Sequence, residues 1–424
     1  MFRFFSSCIC EWRYVYISII SVTIGVWIFG GGEVRTIKII ISLLLWIVLD
    51  LILGRRSQRK HNRTLAFEQT RGNYRFYKNG TPLFEDLFDE ISQAQDQIDV
   101  YYYLVRRDII SRKFMTLLKM KAEEGVRVNL LVDRLVSAPL RREYRALKKA
   151  GVDVAFAETP KFPFFFYTFN RRNHRKMVVI DGVIGYVGGF NVGREYIGKS
   201  SQFIDWRDYH LRLTGSIVRD LHRIIASDWT YNTGDALPSV AYREGGKHPF
   251  QLVAFDGIGV ENTFLTMIRR ARREILIGSP YFIPTRRIHR ELLKALERGV
   301  DVHILLPLKR DHAFVKEAGF PSLQNLVLHG ANVYHYNAGF YHAKLVLVDE
   351  EAADIGTANF DKRSMFLNKE VTISIFDESF VRHLRSEYFK DTENSLVYDK
   401  EQAANPSLGT KVKTQLVKPF RWML

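Results

Sequence analysis

The sequence is almost without thiols. Its two cysteines, Cys8 and Cys10, both lie within the first ten residues. Disulfides and thiolate metal sites are therefore excluded from the rest of the chain. Acidic residues are also in short supply. The 46 Asp and Glu stand against 62 Lys and Arg, leaving a formal net charge of +16. Such an excess attracts polyanions, either nucleic acid or an anionic lipid surface. Charge alone does not choose between them. A third absence does help: the 19 residues from Tyr14 to Gly32 carry no formal charge.

A spanning helix needs about 20 mainly apolar residues. The run from Tyr14 meets this, and Ile39 to Leu49 supplies a second run flanked by Lys38 and Asp50. Gly30-Gly31-Gly32-Glu33-Val34-Arg35 reads as a short polar turn between them. Arg55, Arg56, Arg59, Lys60 and Arg63 follow, a positive-inside signal. The expectation is a multi-pass anchor in the cell membrane. Its two helices span about 14–32 and 37–53, with the catalytic part on the cytoplasmic side. A cleaved signal peptide ending near the glycines is the competing reading, and the second apolar run with its basic flank argues against it.

The remaining chain repeats itself. Ile98 to Tyr103, a helical stretch, and Glu124 to Leu131 are echoed by Ile275 to Phe282, a helical stretch, and Arg298 to Leu305. Val152 to Phe156 and Ala331 to His335 add one further strand to each half. Strands alternating with helices predict an α/β sandwich, here two similar halves around a pseudo-two-fold axis. The expected divisions are an anchor and basic flank over 1–63, a first half over 64–240, a second over 241–395 and a basic tail over 396–424. The crossover falls near Gly234 to His248, and the tail lies on lipid or packs loosely.

Each half carries the same constellation. His174-Arg175-Lys176 runs on through an apolar strand to Asp181, and His342-Ala343-Lys344 runs on likewise to Asp349. Both copies have the form H-x-K-x-x-x-x-D. Gly188-Gly189-Phe190-Asn191 follows the first and Gly356-Thr357-Ala358-Asn359 the second, with 17 residues from His to Asn each time. Residues i and i+2 of a strand share a face, so each His lies beside its Lys. An imidazole next to an ammonium is a poor structural choice but suits a phosphate. The ammonium neutralises oxygens while the imidazole attacks or donates a proton. Asp181-Gly182 reads as the turn that ends the strand, which gives the two motif aspartates a supporting role in geometry. One copy would be an ordinary surface pair; two copies at equal offsets are not.

These paired segments resemble the phospholipase D superfamily, and in particular its bacterial cardiolipin synthase type. Trp206-Arg207-Asp208 and Ser279-Pro280-Tyr281-Phe282-Ile283-Pro284 extend the likeness, which covers roughly residues 75 to 395. The resemblance implies a phosphatidyltransferase that joins two molecules of phosphatidylglycerol into cardiolipin and glycerol. It implies neither a nucleotide, a metal nor any other cofactor, and its partners are anionic phospholipid and membrane, with no nucleic acid. One His attacks the phosphodiester to form a phosphohistidine while the other protonates the departing glycerol. His174 is assigned as nucleophile and His342 as acid and base. Lys176, Lys344, Asn191 and Asn359 hold phosphate oxygens, and Asp208 and Glu370 accept the imidazole N–H bonds. For Asp208 a salt bridge with Arg207 is an equal alternative.

Phe162 to Phe169 is dense in aromatics and leads into Arg171, Arg172 and Arg175. It reads either as a loop dipping into the interface to receive anionic lipid or as filling for the core between halves. Three other functions share parts of the pattern: a hydrolytic phospholipase D, a nucleic-acid phosphodiesterase and an inactive scaffold. The apolar N-terminus disfavours the nuclease and the two intact motifs disfavour the scaffold. A metal-dependent transferase would need clustered aspartates in membrane helices, and none appear.

Overall fold

Every residue of Lys176–Ile180 and Leu345–Val348 is buried, as is every residue of Gln97–Tyr102. Strands apolar on both faces must be covered on both. The computed structural model describes residues 32–199, 205–312 and 314–421 and shows how. The chain forms two units, one of Met1–Asn62 with Thr159–Arg171, the other of Arg63–Glu158 with Arg172–Leu424.

The larger unit holds one continuous mixed sheet with two like halves. In the first half, Gln97–Tyr102 pairs in parallel with Arg127–Asp133, which pairs in parallel with Asp153–Ala157. On its other side Gln97–Tyr102 pairs antiparallel with Lys176–Ile180, followed by Ile184–Gly188, His210–Thr214 and Thr70–Tyr77. The second half repeats this order. Glu274–Gly278 lies between Asp301–Pro307 and Leu345–Val348, followed by Ala352–Gly356, Lys369–Ile375 and His248–Asp256. Thr70–Gly72 and His248–Phe250 pair antiparallel and fuse the halves.

Alternate residues of each strand serve different cores. Val100, Val178 and Ile180 face a layer with Leu83, Phe114 and Leu147 from the helices Gly80–Gln93, Ile109–Glu123 and Arg141–Lys149. Ile275, Ile277 and Val346 do the same with Phe264, Leu292 and Leu326 in the second half. Tyr101, Met177, Leu276 and Leu345 point the other way. They share one core with Ile217–Thr233 and Glu378–Glu393, the helices that follow the last strand of each half. This shared core makes the halves one body.

Several boundaries differ from those read in the sequence. The apolar helix runs from Gly32 to Lys60, so Glu33, Val34 and Arg35 are helical and not a turn. Lys and Arg are good helix formers, and cations at a helix C-terminus complement its dipole, so the basic flank continues the helix. It is one helix long and apolar enough to cross a membrane. The preceding run, apart from Gly32, lies outside the described residues. No regular structure occupies residues 235–247, the expected crossover. The tail is not loose. Ser395–Tyr398 adds an antiparallel strand to Asn332–Tyr336, covering an otherwise open sheet edge, and Ala403 and Val417 are buried.

In the smaller unit the aromatic segment forms the short helix Phe165–Asn170 against the apolar helix. Phe166 meets the Trp46 ring edge-on at 4.9 Å. The Tyr167 backbone N–H donates to Asp50 Oδ1 at 2.7 Å, and Arg171 Nη1 donates to Gln58 Oε1 at 2.7 Å. A side chain at Gly54 would collide with the Tyr167 ring, 2.4 Å from its Cβ position. Of the segment's aromatic rings only Tyr167 is buried; Phe162 and Phe169 are exposed. The segment thus belongs with the apolar helix and does not fill a core between halves.

Candidate active site

Both motif histidines sit at the same point of their halves, just before a strand in the middle of that half: His174 two residues before Lys176–Ile180 and His342 three before Leu345–Val348. Their backbones are tied across the seam: His174 N–H donates to Lys369 O at 2.9 Å, and His342 N–H donates to Arg207 O at 2.7 Å. Gly188 pairs with His210 and Gly356 with Thr372, so Asp208 and Glu370 occupy equivalent places, each two residues before its strand partner. Their partners are exchanged between the halves. His174 Nδ1 lies 3.0 Å from Glu370 Oε2, a residue of the second half. His342 Nδ1 lies 2.5 Å from Asp208 Oδ2, a residue of the first.

The tautomer of His174 follows from its contacts. Nδ1 is also 3.1 Å from the carbonyl oxygen of Thr357, which can only accept. Nδ1 therefore carries the proton, and the Nε2 lone pair is left for chemistry. Glu370 is fully buried and takes further bonds from Thr357 Oγ1 at 2.6 Å and Ser364 Oγ at 2.8 Å. Burial alone would raise its pKa, but His174, the Thr357 hydroxyl and the Lys176 charge bring it below the ordinary value. Asp208 is likewise buried and likewise held low, by Lys344 and His342, with its other oxygen accepting from Tyr209 N–H at 2.8 Å. Gly189 is what lets it in, for a Cβ there would stand 1.9 Å from Asp208 Oδ1.

Lys176 and Lys344 are both buried, and each Nζ donates to the carbonyl of its own motif histidine. Burial first, and then the Lys344 charge, push the Lys176 pKa well down, and burial also lowers that of Lys344. The same two causes, burial and the neighbouring lysine, lower His174 and bring His342 to about 4. The charge of Lys344 is felt at His174, and those of Asp208 and Glu370 at Lys176, so the two constellations share one electrostatic neighbourhood. Lys176 and Lys344 stand beside the two imidazoles with Asp208 and Glu370 as the carboxylates of the cluster, Asp208 Oδ2 lying 3.5 Å from Lys344 Nζ, and the ammonium groups and ring nitrogens are the donors with which the cluster would meet a phosphate. Tyr103 stands edge-on to His174 at 5.0 Å and Trp206 lies 4.9 Å from His342, walling the two rings. Asn191 and Asn359 are buried, and the amide oxygen of each has no partner among the described residues, an end left for a ligand.

Asp181 and Asp349 are elsewhere. Asp181, with φ of 51°, accepts from the backbone N–H groups of Gln95, Asp96 and Gln97. Asp349, with φ of 55°, does the same for Arg272, Arg273 and Glu274. Each stands about 20 Å along the chain from its histidine and fastens the start of Gln97–Tyr102 or Glu274–Gly278. Arg172 and Arg175 also differ from the expectation that they receive lipid. Arg172 Nη1 donates to buried Asp133 at 2.9 Å, and Arg175 Nη1 donates to buried Asp228 at 2.5 Å. Guanidinium groups so enclosed need carboxylates of their own. Arg207 pairs with Asp391 at 2.9 Å, which leaves Asp208 to the histidine. Sequence reasoning gave Thr357 no role and missed Ser364; the matching positions of the first half are Gly189 and Tyr196, so the repeat carried no signal for either. It also missed Asp228, which joins Arg175 and Lys369 and had no motif around it.

Residues 87–205 and 264–392 match the family described as cardiolipin synthase, PLD-like domain. A minor cardiolipin synthase of Bacillus subtilis is 36% identical over 91% of this chain and 96% of its own length. A cardiolipin synthase 2 of Staphylococcus epidermidis is 39% identical over 84% of this chain and 76% of its own. Among solved structures, a phosphatidylserine synthase of Haemophilus influenzae superposes with a TM-score of 0.63 at 13% identity. It covers 88% of this chain and all 100% of that one, a likeness of fold.

Proposed function

Since the chain belongs to the PLD-like cardiolipin synthase family and is a phosphatidyltransferase, we propose that it transfers a phosphatidyl group between two phosphatidylglycerol molecules on His174 and His342. The observation that supports this reading is the exchange of carboxylates, by which each half orients the imidazole of the other. His174 Nε2 attacks phosphorus, the P–O bond to glycerol breaks, and His342 gives that oxygen its proton. The hydroxyl of a second phosphatidylglycerol then attacks the phosphohistidine. Its proton passes to His342, the P–N bond breaks and cardiolipin leaves. Glu370 divides its charge among His174, Thr357 and Ser364, which favours a neutral nucleophile. Asp208 makes the closer contact with its ring and supports the imidazolium that an acid requires. Lys176 and Lys344 hold phosphate oxygens as charge develops, and Asn191 and Asn359 join them with the amide turned so that its NH2 end meets the phosphate.

The apolar helix and a partner before it form the anchor, with the basic end cytoplasmic. The test is lipid analysis after incubating the full chain with phosphatidylglycerol alone. Cardiolipin with glycerol is expected, and His174→Ala or His342→Ala is expected to abolish both. Phosphatidic acid as the sole lipid product would mean hydrolysis, and full activity in either variant would refute the shared site.

A further inference from the structure

The helix Leu408–Val417 has two unlike faces. It starts at Ser407, whose Oγ accepts from Thr410 N–H at 3.2 Å. One face is bound to the second half. Val417 is buried with Ile283 and Ala318, and Val315 packs beside them. Thr410 and Thr414 precede Val417 on that face and are half-buried. Just past the helix, the Arg421 carbonyl accepts from Lys362 Nζ at 2.7 Å, and Arg421 Nη2 donates to Ser322 Oγ at 3.4 Å.

The opposite face is open. Leu408, Val412 and Leu416 recur every fourth residue and so form one stripe; they are 78%, 50% and 67% exposed. Lys411 and Lys413 stand about 100° to either side of Val412, and Lys418 follows the last turn. No carboxylate pairs with these three lysines, nor with Lys362 or Arg421, among the described residues. Burial, and then the charges of Arg421 and Arg286, lower the Lys362 pKa, so cations crowd at this end of the helix.

The helix is also joined to the active site. Ile283, on which Val417 packs, donates its N–H to Phe360 O at 2.9 Å, and Phe360 follows Asn359. Lys362, held to Arg421, opens the short helix Lys362–Phe366, which carries Ser364, a donor to Glu370.

We propose that the Leu408–Val417 helix docks on an anionic phospholipid surface, with Leu408, Val412 and Leu416 among the acyl chains and Lys411 and Lys413 on the phosphates. Three aliphatic side chains in a row find no partner on a nucleic acid. Unpaired lysines bordering them are costly in a contact between two copies of the chain. Acyl chains beneath a layer of phosphates take both, for a lysine stem lies along the apolar layer while its ammonium stays at the headgroups. Docking here holds the segments of Asn359 and Ser364 close to the surface from which substrate comes. The proposal rests on the reading that the substrate is an anionic phospholipid, and it names a surface that meets that lipid outside the catalytic site.

The test uses the full chain with Cys8→Ser and Cys10→Ser, and with Val412→Cys carrying a nitroxide. In nanodiscs of phosphatidylglycerol, oxygen should relax the label more, and a water-soluble nickel chelate less, than in nanodiscs of phosphatidylcholine. High salt should reverse part of that difference, since it screens exposed charges. Adding Lys411→Ala and Lys413→Ala should shrink it severalfold. A label that the chelate reaches equally in both lipids overturns the docking. So does a label shielded from both relaxing agents in detergent without lipid, which marks a contact between copies of the chain. In a second measurement, Val412→Asp with Leu416→Asp, both at exposed positions where folding is not at stake, should raise severalfold the mole fraction of phosphatidylglycerol needed for half-maximal product while kcat holds. An unchanged mole fraction counts against the docking, as does a fall in kcat alone. The label reads no product, so a wild-type enzyme that makes no cardiolipin would sink the transfer reaction and leave this surface standing.

Discussion

Gly189 and Thr357 occupy matching places after the two motif strands, and each is set by the carboxylate beside it. At Gly189 the Asp208 carboxylate fills the space of a side chain; at Thr357 the hydroxyl donates to Glu370. Gly189→Ala is therefore expected to displace Asp208 from His342 and to lower kcat about as much as Asp208→Asn, in the range ~10²–10⁴-fold. Assay of both variants beside their melting temperatures checks this, and a fully active Gly189→Ala enzyme would contradict it. The histidines make a second expectation. Both pKa values lie below the ordinary 6.5, that of His342 at about 4, so near pH 7 the empty site holds neither proton. An anion bound between the rings favours their charged forms. Binding must then take up a proton near pH 7, above the pKa of both free rings. Calorimetry with glycerophosphoglycerol, a diester that does not itself titrate there, should give heats that depend on the buffer's ionisation enthalpy. Buffer-independent heats would contradict the neutral pair. The histidines, lysines and asparagines were legible because two copies stood at equal offsets. Asp208 and Glu370 were legible as acceptors through the resemblance. Their exchange was not, since nothing in a linear sequence tells which side of a seam a side chain will cross.

Among the elements, strands were easier to read than ends. Apolar runs such as Met177 to Ile180 lie in strands, because burial on both faces admits little else. The apolar helix extended past its reading at both ends, since its termini rest on helix propensity and not on a stop signal. The tail strand Ser395–Tyr398 alternates too briefly to be seen without the edge it covers. The Phe165–Asn170 helix depends on Asp50, more than a hundred residues away, for its tie to the apolar helix. Exposed Phe162 and Phe169 beside that helix are expected to lie among lipid chains. Phe162→Trp in nanodiscs should add fluorescence that brominated phosphatidylglycerol quenches. Emission matching that of a solvent-exposed indole, with no quenching, would place the segment in water.

At the scale of the whole molecule, the two halves are bound by a shared core, by the pairing of Thr70–Gly72 with His248–Phe250, and by the exchanged carboxylates. The covalent link through residues 235–247 carries no regular structure and contributes none of these contacts through strands or helices. Fragments 1–240 and 241–424 should each be inactive alone and should recover activity when produced together. Activity in either fragment alone would contradict a site that needs both. The repeat was legible as two similar halves. That they form one sheet, with one core crossing between them, was not, because each half reads as a complete sandwich. The exchange has a further consequence during translation. Until Glu370 has left the ribosome, His174 lacks the acceptor that fixes its tautomer, and His342 has only just been made. Under the proposed function, the site is therefore incomplete on a nascent chain, and its chemistry begins only as synthesis nears its end.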